Sequence, residues 1–238
     1  MPTLLLRLAA PMQAWGIASN FDTRKMALAP TKSGVIGLLA AALGIHRDAP
    51  ERLTPLNQLR FGVRTDRAGS LLVDFHTAGK LTPLQKKQKL KETPYITRRH
   101  YLADAVFLVG LESTDRALLE QLADALQSPA YPLFLGRRSC PPTLPLCLGI
   151  REIDLVESLR SEPALASAAQ LGSEKSVCIL LDADPLEPNA FPQRDLPLSF
   201  DPRHRRFGYR AVKELRFSPQ EPVSSTTQHD PFAELGGA

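Results

Sequence analysis

Long hydrophobic runs, cysteines and catalytic motifs are scarce in this sequence, and each shortage excludes a class of protein. The longest apolar stretch, residues 35–45, is roughly half as long as a bilayer-spanning helix, and no charged-then-apolar leader precedes the first predicted strand. The three cysteines, Cys140, Cys147 and Cys178, lack the spacing of metal or redox motifs. We therefore expect a cytoplasmic protein with free thiols, no metal, no cofactor and no membrane contact.

The histidines are scattered, and neither a zinc-protease motif nor a nucleophile elbow occurs. Cleavage of RNA without a metal, however, needs only a general base, a general acid and a cation at the phosphate. His76, His100, Tyr101 and Lys89 are residues of the right types. A nuclease therefore stays open as an alternative at this point.

What the sequence does have is the composition of a globular protein and an uneven distribution of charge. Of its 238 residues, 43% are hydrophobic and 23% are charged. Residues 1–110 carry 16 Lys and Arg against 7 Asp and Glu, whereas residues 111–198 carry 7 against 13. This segregation predicts a polyanionic partner on one side of the molecule.

The order of predicted elements up to residue 150 is strand, helix, strand pair, strand, helix, strand. The first helix begins at Thr31 and ends at Gly44, and the strand pair turns at residues 67–70. This order predicts an α+β fold, a ferredoxin-like (RRM-like) domain over residues 1–150 with two helices on one face of the sheet. We expect the other face to be free and the nucleic acid to lie on it or at its edges.

Residues 79–101 interrupt this pattern with a long basic insertion that contains seven Lys and Arg and one acidic residue. A loop of this length within a compact domain is typical of a functional segment, and its charge favours an anionic or acidic partner. Beyond the first domain we predict a small β-rich C-terminal subdomain over residues 151–217. The polar, proline-containing residues 218–238 are predicted to be a disordered tail.

An arginine-rich loop lies at residues 131–142, YPLFLGRRSCPP. Gly136 permits a positive φ and a close backbone approach. Arg137 and Arg138, followed by Ser139, offer bidentate hydrogen bonding to phosphate. The alternative is a surface turn whose arginines pair with the acidic second helix.

The N-terminus of the first helix is a second candidate anion site. Lys32, Ser33 and the adjacent backbone amides lie where the helix dipole attracts negative charge. The spacing is not that of a Walker motif. The alternative is an ordinary cap on a buried helix.

Two further segments combine aromatic and polar or basic residues. Gln13, Trp15 and Arg24 lie between the first strand and the first helix, where Trp15 could stack on a base or simply pack in the core.

The insertion contributes Lys89, Arg98, Arg99 and Tyr101, a mixture that indicates a nucleic-acid grip or, alternatively, a solvated face. Residues 203–210, RHRRFGYR, repeat the basic theme, and could equally dock against an acidic protein surface.

Three stretches together resemble the CasD family, the single-copy backbone subunits of type I-E CRISPR Cascade: LRLAAPMQAWG, PTKSGVIGLLAAALGI and PLFLGRRSCPPTLPLCLG. DFHTAG and RRHYLADAVF are also similar to that family. The resemblance covers roughly residues 3–150, and Ala10 stands where the family often has glycine. It implies a repeat-associated RNA-binding fold in which the basic insertion is a projecting thumb.

The resemblance also implies a function, which is to hold the 5′ handle of the CRISPR RNA without catalysis. The implied protein partners are the repeated Cascade backbone subunit and the large subunit that reads the protospacer-adjacent motif (PAM), with target DNA met only through the complex. On this basis and on the chemistry above, we predict RNA contacts from Gln13, Trp15, Arg24, Lys32, Ser33, Lys89, Arg98, Arg99, Tyr101, Gly136, Arg137, Arg138 and Ser139.

Two alternatives stay open from the sequence. The related type I-C family member is itself the ribonuclease that processes the repeat, so a metal-independent endoribonuclease is the first. A protein–protein adaptor whose basic patches meet acidic subunits is the second.

Overall fold

The computed structural model describes residues 1–16, 23–24, 26–79, 87–88, 95–166 and 177–217. The strands are β1 (Thr3–Ala9), β2 (Met12–Gln13), β3 (Trp15–Gly16), β4 (Thr23–Arg24), β5 (Met26–Ala27), β6 (Arg60–Arg67), β7 (Ser70–Ala78), β8 (Tyr95–Ala103), β9 (Val106–Glu112), β10 (Cys147–Arg151), β11 (Val177–Asp182), β12 (Phe191–Ser199) and β13 (Arg206–Phe217). The helices are α1 (Lys32–Ala42), α2 (Thr54–Asn57), α3 (Arg116–Gln127) and α4 (Leu155–Ser161), with a 3₁₀ turn at Pro50–Leu53.

The main sheet has seven strands in the order β10-β1-β9-β6-β11-β13-β12, and all neighbours are antiparallel. The first four of these positions are filled by strands up to residue 151 and the last three by strands from residue 177 onward. The C-terminal part of the chain therefore continues the sheet that the first part begins. The architecture is mixed α/β with antiparallel sheets.

One face of this sheet is covered by α1 and α3, as the sequence predicts. In α3, Leu119, Leu122 and Leu126 recur on one side and are buried in the core, and Asp115 caps the helix by accepting from the amide of Leu118 (3.0 Å). The helix α1 is apolar on most sides because it lies deep in the same core. These two helices fix the position of the connections that follow them.

The opposite face is covered as well, so the expectation of a free sheet face is wrong here. Leu155 and Leu159 of α4 pack over Gly62 and Gly110, which are register partners on β6 and β9. A Cβ at Gly110 would lie 2.5 Å from Cδ1 of Leu155, and one at Gly62 would lie 2.7 Å from Cδ1 of Leu159. The two glycines therefore provide the space into which the helix docks, and RNA has no access to this part of the sheet.

The predicted pairing of residues 60–66 with residues 71–77 is also wrong, because the described strands pair differently. The strand β6 pairs with β9, whereas β7 pairs with β8 from Ser70 opposite Ala103 to Ala78 opposite Tyr95. Gly69 has a φ of +72°, and a Cβ there would lie 2.4 Å from the carbonyl oxygen of Ala103. The close approach at this glycine directs the chain along β8 instead of back along β6.

Of the predicted thumb, residues 79–101, the structure describes residues 79, 87–88 and 95–101, and the last of these lie on β8, which pairs with β7 in the β7–β8 ribbon. Residues 95–101, predicted as part of a long loop, are in fact strand. On its other edge β8 also pairs with β2 and, in parallel, with β4. Residues 80–86 and 89–94, including Lys89, and the predicted tail lie outside the described residues.

Within the described part of the chain, no helix combines the length and apolar character needed to span a membrane.

Candidate nucleic-acid interface

A groove of about 1370 Å³ opens between α1, the arginine loop (residues 131–142) and the C-terminal loop (residues 200–207). Part of its lining is apolar. The ring of Phe200 lies next to Gly37 of α1, where a Cβ would be 3.6 Å from Cζ of the ring. Other large apolar side chains that line the groove include Leu38, Ile45, Leu133, Phe134 and Phe207.

The charged side chains of the groove are mostly cationic. Five arginines line it, against two aspartates. Asp201 is engaged by Arg203, whose Nη2 and Nε donate to its two carboxylate oxygens at 3.0 and 3.2 Å. The hydrogen bonds from Arg203 lower the pKa of Asp201 below its ordinary value. Asp48 lies 3.3 Å from Nδ1 of His46. The remaining arginines are Arg47, Arg137, Arg138 and Arg205, which contact no carboxylate among the described residues.

The arginine loop is fixed by contact with the protein's own backbone. Gly136 has a φ of +88°, and a Cβ there would lie 1.7 Å from the carbonyl oxygen of Ala14. The amide of Ala14 donates to the carbonyl oxygen of Leu135 (3.1 Å), and the amide of Leu135 donates to the carbonyl oxygen of Cys140 (2.7 Å). The close approach that the glycine permits is therefore to the segment after β1, and it holds the following arginines at the edge of the groove.

Arg137 and Arg138 differ in their surroundings. Arg137 is half-buried, and its guanidinium carbon lies 4.5 Å from the centroid of the Tyr101 ring. Its Nη1 is buried with no hydrogen-bond partner among the described residues. Arg138 and Ser139 are exposed. The alternative that acidic residues of α3 pair with the loop arginines finds no support among the described residues. Glu120 of α3 instead forms a salt bridge with Arg116 of the same helix.

Gln13 and Trp15 belong to the core, so their assignment to base recognition is corrected. Trp15 is 0% exposed, and its ring lies against Gly34, where a Cβ would be 2.8 Å away. Its Nε1 donates to Oε1 of Gln13 (3.0 Å), while Nε2 of Gln13 donates to the carbonyl oxygens of Leu8 and Ala105 (3.2 and 2.8 Å). A buried, hydrogen-bonded pair has neither a face nor a donor for RNA.

Lys32 is likewise structural, which corrects its assignment to phosphate binding. Its side chain is 5% exposed, and Nζ contacts Asp182 at 2.8 Å and the carbonyl oxygen of Leu59 at 2.8 Å. Its amide donates to Asp195 (2.8 Å). The N-terminus of α1 therefore already holds a carboxylate of the chain itself. Ser33, one residue further on, is half-buried and does line the groove.

Of the predicted residues in and near the ribbon, the structure brings Tyr101 to the arginine loop. Tyr101 is 5% exposed beneath Arg137, and Arg99 lies two residues earlier, on the same face of β8. Nε of Arg99 is buried without a partner among the described residues. Arg98 is exposed on the opposite face. Arg24 pairs in register with Arg99 through its backbone, and its side chain lies outside the described set.

Three arginines that line the groove are absent from the RNA-binding residues predicted from the sequence: Arg47, Arg203 and Arg205. The basic run at residues 203–210 was a usable signal, but its members separate in space, because Arg210 is buried against Asp182 and Asp195. Arg47 begins RDA, which follows PTKSGVIGLLAAALGI and belongs to the family resemblance, but it was not assigned to RNA. Only the fold brings it to the groove.

The histidines named for the nuclease alternative do not share a site. His76 on β7 lies opposite Thr97, whereas His100 on β8 lies opposite Val73. Because cross-strand partners share a face and faces alternate along a strand, the two imidazoles lie on opposite faces of the ribbon. They cannot act as acid and base on one phosphate in this arrangement. The described residues also contain no cluster of three metal-ligating side chains.

The cysteines contribute no activated nucleophile to this region. Burial raises the pKa of Cys140, which lies behind the arginine loop. Burial, followed by the nearby Glu214, raises the pKa of Cys178 to about 11. Both thiols are therefore protonated at neutral pH.

Comparison with known proteins gives consistent matches. The family model described as CRISPR-associated protein (Cas_Cas5) matches residues 3–213. Over 158 residues the chain is 44% identical to the CRISPR system Cascade subunit CasD of Escherichia coli (strain K12), an alignment that covers 61% of this chain and 70% of that protein.

Two solved structures resemble the whole described fold. A chain of a CRISPR RNA-guided surveillance complex superposes with a TM-score of 0.74 at 34% identity, covering 91% of this chain and 90% of that one. The crystal structure of a Cas protein superposes with a TM-score of 0.70 at 39% identity, covering 92% and 99%. The residues matched by the family model, 3–213, include the arginine loop and the C-terminal loop of the groove.

Proposed function

Because the chain belongs to the Cas5 family of CRISPR-associated proteins, we propose that it is a non-catalytic subunit of a Cascade surveillance complex that holds the 5′ handle of the CRISPR RNA. We assign the RNA to the groove between α1, the arginine loop and the C-terminal loop, and the assembly to the cytoplasm. The observation that carries this proposal is that arginines from three distant segments converge on one groove, whose lining among the described residues holds five arginines and two aspartates.

The chemistry of the groove suits single-stranded RNA. Guanidinium groups bind phosphate oxygens through charge-assisted hydrogen bonds, and Arg137, Arg138 and Arg205 are positioned for this role. Phe134, Phe200 and Phe207 provide apolar surface beside them, and unstacked bases bind such surface in single-stranded nucleic acids. Phosphate contacts therefore supply affinity, while the lining accommodates bases.

We assign the first part of the chain to a ferredoxin-like arrangement. Support comes from the strand order β10-β1-β9-β6, which is the fourth, first, third and second strand of such a fold, with α1 and α3 as the two helices. On this assignment the β7–β8 ribbon is an insertion, the base of the thumb. Residues 151–217 are then the C-terminal subdomain, although their strands extend the same sheet.

The thumb also suits contact with the neighbouring Cascade backbone subunit. One face of the ribbon exposes Leu71, Val73, Phe75 and Ile96, which are 59, 49, 61 and 50% accessible. Adjacent exposed apolar residues of this kind are typical of protein interfaces. We expect the large PAM-reading subunit to lie beside the thumb, and target DNA to be met only through the complex.

The thumb interface can be tested by co-purification. Phe75→Asp should reduce recovery of the repeated backbone subunit, whereas Leu186→Asp, at a residue 93% exposed on a distant loop, should not. Equal recovery of both variants would contradict this interface.

The RNA-binding proposal is tested with the full-length protein and a handle-containing RNA. Arg137→Ala combined with Arg138→Ala should weaken binding at least tenfold, because each charge-assisted contact contributes about 1.5–3 kcal/mol. The matched control is Arg116→Ala combined with Arg216→Ala, which removes the same charge from arginines paired with glutamates outside the groove. If the loop variant binds within about twofold of the wild type, the groove assignment is wrong.

The absence of catalysis is tested by incubating the purified protein with unprocessed repeat RNA in EDTA. We expect no specific cleavage, because the described histidines face opposite sides of the ribbon. Scission that is abolished by His76→Ala or His100→Ala would instead support the endoribonuclease alternative.

A further inference from the structure

Tyr101 occupies an unexpected position for a residue predicted to touch RNA. Its side chain belongs to the core cluster and is 5% exposed, and the guanidinium of Arg137 covers its ring at 4.5 Å. A base cannot reach a ring that is already covered on this side. The ring therefore acts on Arg137 and not on the RNA directly.

Arg137 is held at both its backbone and its side chain. The loop is fixed by the contact of Gly136 with Ala14, and the carbonyl oxygen of Arg137 accepts from the amide of Cys140 (2.9 Å). Stacking on an aromatic ring restricts a guanidinium while the N–H groups in the guanidinium plane keep their capacity to donate hydrogen bonds. Arg138, which is exposed, has no such support among the described residues.

This support has a consequence for binding. A side chain that is already ordered loses less conformational entropy when it binds a ligand. In addition, Nη1 of Arg137 is buried without an acceptor in the described part of the protein. An unsatisfied buried donor is costly, and a phosphate oxygen would supply the missing acceptor.

We propose that Tyr101 is a positioning residue, which fixes the guanidinium of Arg137 in its phosphate-binding orientation and makes no contact with the RNA. This inference rests on the proposed function of the groove.

A double-mutant cycle tests it. RNA affinity is measured for the full-length wild type, Tyr101→Leu, Arg137→Ala and the combination. Tyr101→Leu should weaken binding about 3- to 10-fold in the wild type and less than about twofold when Arg137 is already alanine. Tyr101→Phe, which retains the ring, should bind within about twofold of the wild type. Tyr209→Leu, at a tyrosine 67% exposed on β13, is the matched control and should have no effect.

A second measurement does not depend on RNA. In the RNA-free protein, the ring current of Tyr101 should shift the side-chain proton resonances of Arg137 upfield, and this shift should persist in Tyr101→Phe and disappear in Tyr101→Leu. If Tyr101→Leu fails to fold, Tyr101→Met replaces it, because methionine keeps apolar volume without a ring.

The outcomes separate the inference from the proposed function. An equal loss from Tyr101→Leu in both backgrounds would mean that Tyr101 contacts RNA itself, and it would overturn the inference alone. The inference alone would also fail if Arg137→Ala weakened binding and Tyr101→Leu did not. Unchanged binding in Arg137→Ala plus Arg138→Ala would overturn the proposed function, and the inference with it.

Discussion

Two cationic regions of this protein use their charges in opposite ways. In the groove, arginines outnumber aspartates and most have no carboxylate partner among the described residues. In the buried ion network, defined as Lys32, Asp182, Asp195 and Arg210, each cation contacts a carboxylate. Lys32 and Ser33 are neighbours in sequence, but Lys32 belongs to the buried ion network and Ser33 lines the groove. Basic residues in a sequence therefore indicate an anionic ligand only when the fold leaves them without an internal partner.

The buried ion network joins α1 to three C-terminal strands. Arg210 of β13 donates to Asp195 of β12 at 2.6 and 2.9 Å and to Asp182 of β11 at 2.6 Å. Asp195 accepts from the amide of Lys32, and Asp182 accepts from Nζ of Lys32 (both 2.8 Å). This arrangement places the N-terminus of α1, and hence one wall of the groove, relative to the C-terminal strands.

The largest expected effect comes from breaking this network. Asp195→Ala removes the carboxylate that accepts hydrogen bonds from Arg210 and from the amide of Lys32. It should lower the free energy of unfolding by about 3–5 kcal/mol. The measurement is urea denaturation. As a control, Glu120→Ala removes an exposed carboxylate and should change stability by about 0.5 kcal/mol or less. If Asp195→Ala lowered the free energy of unfolding by less than about 1 kcal/mol, the buried ion network would contribute no more to stability than exposed charges do.

The second effect concerns the contact that fixes the arginine loop. Gly136→Ala should cost about 2 kcal/mol or more, because the new Cβ meets both a positive φ and the carbonyl oxygen of Ala14. It should also weaken RNA binding by displacing Arg137. Gly149→Ala is the matched control, since Gly149 has a φ of +91° but its nearest potential contact is 3.7 Å away. Equal losses of stability would mean that the backbone angle matters and the contact with Ala14 does not.

The sequence predicts those features that depend on local pattern. The spacing of Leu119, Leu122 and Leu126 predicts the buried face of α3, which the structure confirms, whereas the anion site predicted from GRR in a loop stays a prediction. The family resemblance predicts membership, which the match over residues 3–213 confirms.

Features that depend on distant residues could not be predicted in this way. Lys32 is neutralised by Asp182, 150 positions away, and no local pattern indicates that pairing. The space that Gly62 and Gly110 leave for α4 exists only once β6 and β9 are in register. The burial of Trp15 also depends on a distant residue, because its ring packs in the space that Gly34 leaves.

A third, smaller effect is the salt dependence of RNA binding. For single strands, the logarithm of affinity falls with the logarithm of salt concentration by about 0.7 for each phosphate contact. Arg137→Ala combined with Arg138→Ala should therefore reduce the slope by about 1.4, and Arg116→Ala combined with Arg216→Ala should leave it unchanged. A slope that does not respond to the loop variant would mean that its arginines contact no phosphate.

The smallest expected effect tests whether carboxylates within the groove reduce its affinity for RNA. Asp201 accepts three hydrogen bonds from Arg203, two from the guanidinium and one from the backbone amide, which lower its pKa, so at neutral pH it offsets one of the groove's cations. Asp201→Asn should release Arg203 and strengthen RNA binding about 2- to 5-fold. In the wild type the same release should occur as pH falls through the lowered pKa, where the stabilising contribution of the pair is also lost. The variant should lack that pH response, and unchanged affinity in Asp201→Asn would mean that Arg203 lies outside the RNA path.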